Sequence, residues 1–252
     1  MEIHELVDVL RREGALLADA AARTAPDAPV PTCPGWQLRD LLLHTGQVHR
    51  WAAAHVKGGL AGPLDEAGKL AAWGPEPSDA ELVEWFRTGH GDLVAVLDAA
   101  PADLDCWSFL PAPSPLAFWA RRQLHETTVH RVDAESAAGG GRTGIDPAVA
   151  ADGLDELLTC FMSRPRTKLH SESPRTLLVR PTDRPESWLM TIGQDAPQVE
   201  RGGTGLANCT VIGPAEDLYL LLWNRLPADA VDIAGDRSLL DLWREKATVV
   251  WT

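Results

Sequence analysis

One tyrosine and four phenylalanines stand beside ten tryptophans in this chain of 252 residues. Basic side chains are also scarce, since 23 lysines and arginines face 36 acidic residues for a net charge of −13. Phosphate backbones and anionic lipid surfaces are held by clustered lysine and arginine, so neither nucleic acid nor a membrane surface is an expected partner. The four cysteines, Cys33, Cys106, Cys160 and Cys209, form no CxxC pair. That spacing builds neither a zinc knuckle nor a disulfide framework, and it suits a reducing cytoplasm. No run approaches the roughly 18 apolar residues of a membrane span. The opening stretch "MEIHELVDVLRREG" is amphipathic and charged, unlike a signal peptide. The expectation is a soluble, cytoplasmic protein.

What is present fits a globular fold. Hydrophobic residues make up 45% of the chain, an ordinary share for a protein with a buried core. The length suits one large domain or two modest ones. The tryptophans are spread along the whole chain, which reads as core packing rather than a sugar-stacking platform.

The apolar spacing is helical from Glu2 to about Arg166. It predicts helices over Ile3–Ala22, from Trp36 or Gln37 to Lys57, from Ser78 or Asp79 to Leu97, and over Leu116–Ala138. One more helix is opened by Asp146-Pro147, an N-cap followed by proline at the first helical position. After Thr167 the pattern becomes short strands, in "TLLVRPT", "SWLMTIG", "QVERGG" and "NCTVIG". A helix ("PAEDLYLLLWNRL"), a strand ("AVDIAG") and a closing helix ("DRSLLDLWREK") follow. The expected architecture is a four-helix bundle over residues 1–166, followed by a smaller α+β domain with an antiparallel or mixed sheet over residues 167–252, with the glycine break "GGGRTG" offering a split near residues 139–145 or shortly after.

Within the fourth helix, "HETTVH" places Glu126 and His130 four residues apart, roughly 40° around one face. His125 and His130 are five apart, about 140° around, so the HExxH zinc pattern does not form. By itself the pair suits a solvated or salt-bridged face as well as a metal site. In the second helix, Leu41, His44, Val48, Trp51 and His55 share the face expected to enter the core, and His49 falls at its exposed border. The fourth helix offers Trp119, Arg122, Glu126, Val129, His130 and Asp133, a stripe too polar to bury unpaired without cost. A divalent metal would neutralise Glu126 and engage both imidazoles. His44, Glu126 and His130 would then form a two-histidine, one-carboxylate set with open positions. On pattern alone, hydrogen-bonded buried histidines remain the competing reading.

Two segments, "VPTCPGWQLRDLLLHTGQVHRW" (30–51) and "HETTVHRVDAE" (125–135), carry a resemblance to a known family. The sequence resembles the mycothiol-dependent maleylpyruvate isomerase family, within the DinB-like four-helix-bundle superfamily. That resemblance implies a divalent metal, typically zinc, bound by His44, Glu126 and His130, and mycothiol as a low-molecular-weight thiol cofactor. The stretch "GPAEDLYLLLWNRLPADAVDIAGDRSLLDL" (213–242) resembles the family's sterol-carrier-like second domain. The family's functional arginine falls on Arg225.

Members of that family differ in reaction, being isomerases, thiol S-transferases or thiol-exchange enzymes. The implied chemistry starts with a metal-lowered thiol pKa. The thiolate then attacks a small, carboxylate-bearing electrophile. In the isomerase form it adds to maleylpyruvate, the new single bond rotates, and expulsion of the thiol gives fumarylpyruvate. In the transferase form it stays attached. Arg225 would pair with a substrate carboxylate, or else serve as a helix-end arginine at the dipole. Asp133 would orient a ligand imidazole from behind, or else bridge to Arg131 or Arg122. Cys33 reads as structural and Trp36 as a packing anchor. His49, His90 and His125 read as surface or border residues. The expected partners are a small electrophile and the thiol, on a monomer or homodimer. The alternative reading is a non-catalytic metal- or small-molecule-binding protein on the same fold.

Overall fold

The computed structural model describes residues 1–247. It divides into two compact units, Met1–Thr143 and Gly144–Thr252.

The first unit is helical. Helix α1 (Ile3–Ala22) begins with a reciprocal capping box between Glu2 and Glu5, and α2 (Leu38–Gly58) with another between Gln37 and Asp40. Gly59 ends α2 in the left-handed conformation. A short helix α3 (Glu66–Trp73), with no buried residue and no counterpart in the sequence-based expectation, precedes α4 (Leu82–Ala99). Ser114 caps α5 (Pro115–Ala138) by accepting from Ala117 N at 3.1 Å.

Helix α5 is the axis of this unit. Almost every residue from Leu116 to Glu135 is buried, although the segment is rich in charge. Those charges are matched by neighbours. Arg131, fully buried, donates to Glu13 of α1 at 2.8 Å and to Glu135 at 2.7 Å. Breaking a buried pair of this kind leaves an uncompensated charge, worth about 3–5 kcal/mol.

The second unit is α+β. Helix α6 (Pro147–Asp155) continues into a π-helical turn over Glu156–Phe161. Strands β1 (Arg175–Pro181), β2 (Trp188–Ile192), β3 (Gln198–Arg201), β4 (Cys209–Gly213) and β5 (Asp232–Gly235) form a sheet of order β3-β2-β1-β4-β5. Only the β1–β4 pairing is parallel, so the sheet is mixed. Helices α7 (Ala215–Leu222) and α8 (Ser238–Lys246) complete the described part.

The unit boundary at Thr143 and Gly144 falls at the glycine break near residues 139–145, ahead of residue 166 where the helical spacing ends. Helix α6 packs against α7, and the π turn meets β3. Asp155 accepts from the Trp188 indole at 3.0 Å and from Arg201 at 2.9 Å. Helical periodicity extends through residues 147–161, but their apolar face covers the sheet's unit rather than the bundle.

Candidate metal centre

The site starts from two antiparallel helices. His44 of α2 meets Glu126 of α5, and Trp51, further along α2, meets Trp119, further back along α5. His44 Nε2 lies 3.1 Å from Glu126 Oε1, and His130 Nε2 lies 3.2 Å from the same oxygen. The two imidazoles stand nearly perpendicular, with ring centres 5.2 Å apart. All three ligating atoms fall within 4.8 Å of one another.

Each donor is aimed by a further contact. Arg122 donates to Glu126 Oε2 at 3.1 Å, leaving Oε1 to face the imidazoles. His130 Nδ1 lies 2.9 Å from Asp133 Oδ2, which fixes the ring and directs Nε2 toward Glu126. The loop before α2 adds two side chains that pattern reading had kept structural. The Cys33 thiol donates to Asp133 Oδ2 at 3.2 Å. The Trp36 ring stacks over His130 at 6.2 Å and meets His44 edge-on at 5.1 Å. A bridge between Pro29 and Gln37, turn bonds from Cys33 N to Val30 O and Trp36 N to Cys33 O, and the left-handed Gly35 fold this loop back onto the site.

Burial and charge set the electrostatics. Glu126, His130 and Asp133 are 4%, 8% and 0% exposed, whereas the His44 side chain keeps 25%. The cluster therefore opens on the His44 side. Burial alone would discharge His130, but Asp133 and Glu126 outweigh it and push its pKa up to about 9. Burial likewise disfavours the Glu126 carboxylate, yet hydrogen bonds from His130 and His44, with the Arg122 charge, hold it well below the usual range.

The donor set fits a divalent metal. Bonds of about 2.0–2.1 Å in a tetrahedron put neighbouring ligand atoms roughly 3.3 Å apart, close to the 3.1 and 3.2 Å found. Cys33, His130 and Asp133 form a second close group. Its Asp133 oxygen is already shared by the thiol and the imidazole, which suits support of His130.

The other sequence-based expectations divide. Asp133 Oδ2 lies against His130, while Arg122 donates to Glu126 and Arg131 to Glu13 and Glu135. His49, expected at the border, is fully buried and lies 2.8 Å from Thr127 Oγ1, with its ring 5.2 Å from that of His90. His125 and His90 are buried as well. Burial pushes both His49 and His90 below the ordinary histidine pKa. The reason lies in small residues. Gly46 lets the Trp85 ring approach to where a Cβ would sit 2.2 Å away, which turns the Leu42, Thr45, Gly46, His49 and Ala52 face inward. The His44, Val48 and Trp51 strip, expected to be core, is consequently half-buried.

Arg225 lies in the other unit, on the turn that ends α7. Asn224, with φ 61°, closes a Schellman turn in which Arg225 N donates to Leu220 O at 2.7 Å. The half-buried guanidinium donates to Trp223 O at 2.8 Å.

Among the described residues no helix is long and apolar enough to cross a membrane. Two solved structures are similar to the chain. The mycothiol-dependent maleylpyruvate isomerase has 14% identity and a TM-score of 0.63, with 93% of each chain covered. A histidine-to-alanine mutant of that enzyme has 14% identity and a TM-score of 0.62 over the same shares. At that identity the likeness establishes the fold. No match is found among the curated proteins. Residues 7–135 match the family model described as the mycothiol maleylpyruvate isomerase N-terminal domain, and residues 148–242 match the one described as the MDMPI C-terminal domain. With both domains matched in order, the chain belongs to the mycothiol maleylpyruvate isomerase family.

Proposed function

We propose that this protein is a divalent-metal-dependent enzyme that uses mycothiol on a small electrophile bearing a carboxylate. The reaction is either maleylpyruvate-isomerase-like cis–trans isomerisation or thiol S-transfer or exchange. The observation that carries this reading is the convergence of His44 Nε2, Glu126 Oε1 and His130 Nε2 in a cluster open on one side, within a chain of this family. When bound, zinc or another divalent ion supplies the Lewis acidity that lowers the pKa of a thiol at an open position.

The protein's own groups have distinct tasks. His44, Glu126 and His130 hold the metal. Asp133 keeps the remaining His130 proton on Nδ1, so that the Nε2 lone pair faces inward. Arg122 ties Glu126 Oε2 and prevents that carboxylate from turning away. Trp36 shields both imidazoles from water. Arg225 is assigned to the substrate carboxylate, for which a planar guanidinium suits paired hydrogen bonds. A cytoplasmic location belongs to the same reading, since thiols stay reduced there.

The test is incubation of metal-loaded protein with mycothiol and a panel of electrophiles, maleylpyruvate included, followed by mass spectrometry. An isomer keeps the substrate's mass, whereas a conjugate gains that of the thiol. Either product, dependent on both metal and thiol, supports the proposal. Metal and thiol binding with no turnover of any electrophile would instead identify a non-catalytic binding protein.

A further inference from the structure

The seam between α2 and α5 changes character one layer away from the metal ligands. His44 and Glu126 make the first layer, and Trp51 and Trp119 make another seven residues away along both helices. Seven residues of helix rise place the layers about 10 Å apart. The rings of Trp51 and Trp119 are 5.0 Å apart, and Trp107 and Phe109 close on Trp51 at 6.0 and 6.1 Å.

This cluster is not sealed. Trp119 is fully buried, and its indole N–H donates to the Trp107 carbonyl at 3.0 Å, so it forms the floor. Trp51, Trp107 and Phe109 are only half-buried. Val48, between His44 and Trp51 on the same helical face, is half-buried too. His44, Val48, Trp51, Trp107 and Phe109 are thus all partly exposed, and the charged side chain between the two layers on α5, Arg122, is buried and turned to Glu126. The even spread of tryptophan in the sequence pointed to core packing, and for Trp51 and Trp107 the observed exposure departs from that.

We propose that Trp51, Trp107 and Phe109 form the subsite for the ring-polyol tail of the thiol whose sulfur lies at the metal-ligand layer. This inference rests on the proposed function. In mycothiol the cysteine is joined by an amide to a sugar and through it to inositol, which makes a neutral tail of two rings. Ion pairs cannot select such a tail. Aromatic faces can, because they pack on the C–H faces of the rings while the hydroxyls stay at the wet rim. The length also fits, since an extended thiol-to-inositol span of roughly 10 Å equals the helix rise between the two layers.

The test uses the metal-loaded, full-length protein and two thiols, mycothiol and N-acetylcysteine, which lacks the tail. Binding of each is measured by calorimetry for wild type, Trp107→Ala and Phe109→Ala. Trp107→Ala keeps the backbone carbonyl that holds Trp119. The expected result is mycothiol binding more tightly than N-acetylcysteine in wild type, with about a tenfold loss for mycothiol alone in each variant. Metal content and helical circular dichroism should not change. As a measurement that needs no variant, thiol-free glucosaminyl-inositol should alter the tryptophan fluorescence of wild type. Equal affinity of wild type for the two thiols, or no fluorescence response to the sugar, overturns the subsite and leaves the proposed function standing. Failure of wild type to bind either thiol overturns both.

Discussion

Asp133→Asn tests the support behind His130 with almost no change of shape. In the metal-free protein, burial is outweighed by the Asp133 and Glu126 carboxylates, and His130 is pushed up to about 9. A metal at Nε2 must displace the proton there. Below about pH 9, displacing one proton weakens wild-type binding by about tenfold per pH unit. Asparagine removes the negative charge 2.9 Å from Nδ1, with two consequences of opposite sign. It takes away attraction that a divalent ion feels about twice as strongly as a proton does. It also lowers the His130 pKa, which relieves part of the proton's competition. Losing an outer partner of a ligand histidine costs about 10–100-fold in metal affinity. The deficit should therefore approach that range near pH 9 and shrink toward pH 6. Competition with a chromophoric zinc chelator across this interval reads both trends. A deficit that stays constant with pH, or tighter binding by the variant near pH 9, refutes the link from Asp133 to His130.

Three further expectations follow from the same geometry. Without metal, His130, raised from 6.5 to about 9, stabilises the fold fully below pH 6.5 and loses that contribution as pH rises through about 9. Glu126, held well below 4.5, contributes above that pH and loses its share as pH falls. Melts in chelator should thus show Tm falling between pH 6.5 and 9, and a level Tm over that interval contradicts the assignment. All the proposed ligands and their supports lie within Met1–Thr143, so this segment expressed alone should be helical by circular dichroism and retain metal. A soluble, helical but metal-free segment would count against a self-contained centre. Arg225→Ala should keep its metal and slow turnover of a carboxylate substrate by about 30-fold to 1000-fold, the effect of losing a charged hydrogen-bonded contact. Arg225→Lys should recover part of that rate, and a wild-type rate in Arg225→Ala would make the arginine a helix-end residue only.

Much of the bundle was legible because its signals are local. Capping residues, prolines and glycines sit next to the helix ends they cause, and the four-residue step from Glu126 to His130 puts both on one face of any helix. The coincidence with His44 was legible too, as a histidine on the face of α2 that meets α5. Other features depend on partners far along the chain. The burial of α5 could not be read from its own polar sequence, because Glu13, 118 residues from Arg131, supplies the balancing charge. His49 turned inward because Gly46 admits Trp85, a packing event that periodicity does not encode. Cys33 and Trp36 reach the imidazoles through a loop whose turn bonds fold it back, a contact that their local spacing does not encode. The helix over 147–161 groups with the sheet rather than the bundle, a difference periodicity cannot show because an amphipathic helix looks the same whether it covers a bundle or a sheet.

The central claim is that His44, Glu126 and His130 together hold a divalent ion. Elemental analysis of wild type, His44→Ala, Glu126→Gln and His130→Ala, purified identically and confirmed as folded, tests it most directly. The account predicts about one zinc or similar divalent ion per chain in wild type and less than about a tenth of that in each variant. Equal metal content in all four proteins would contradict it.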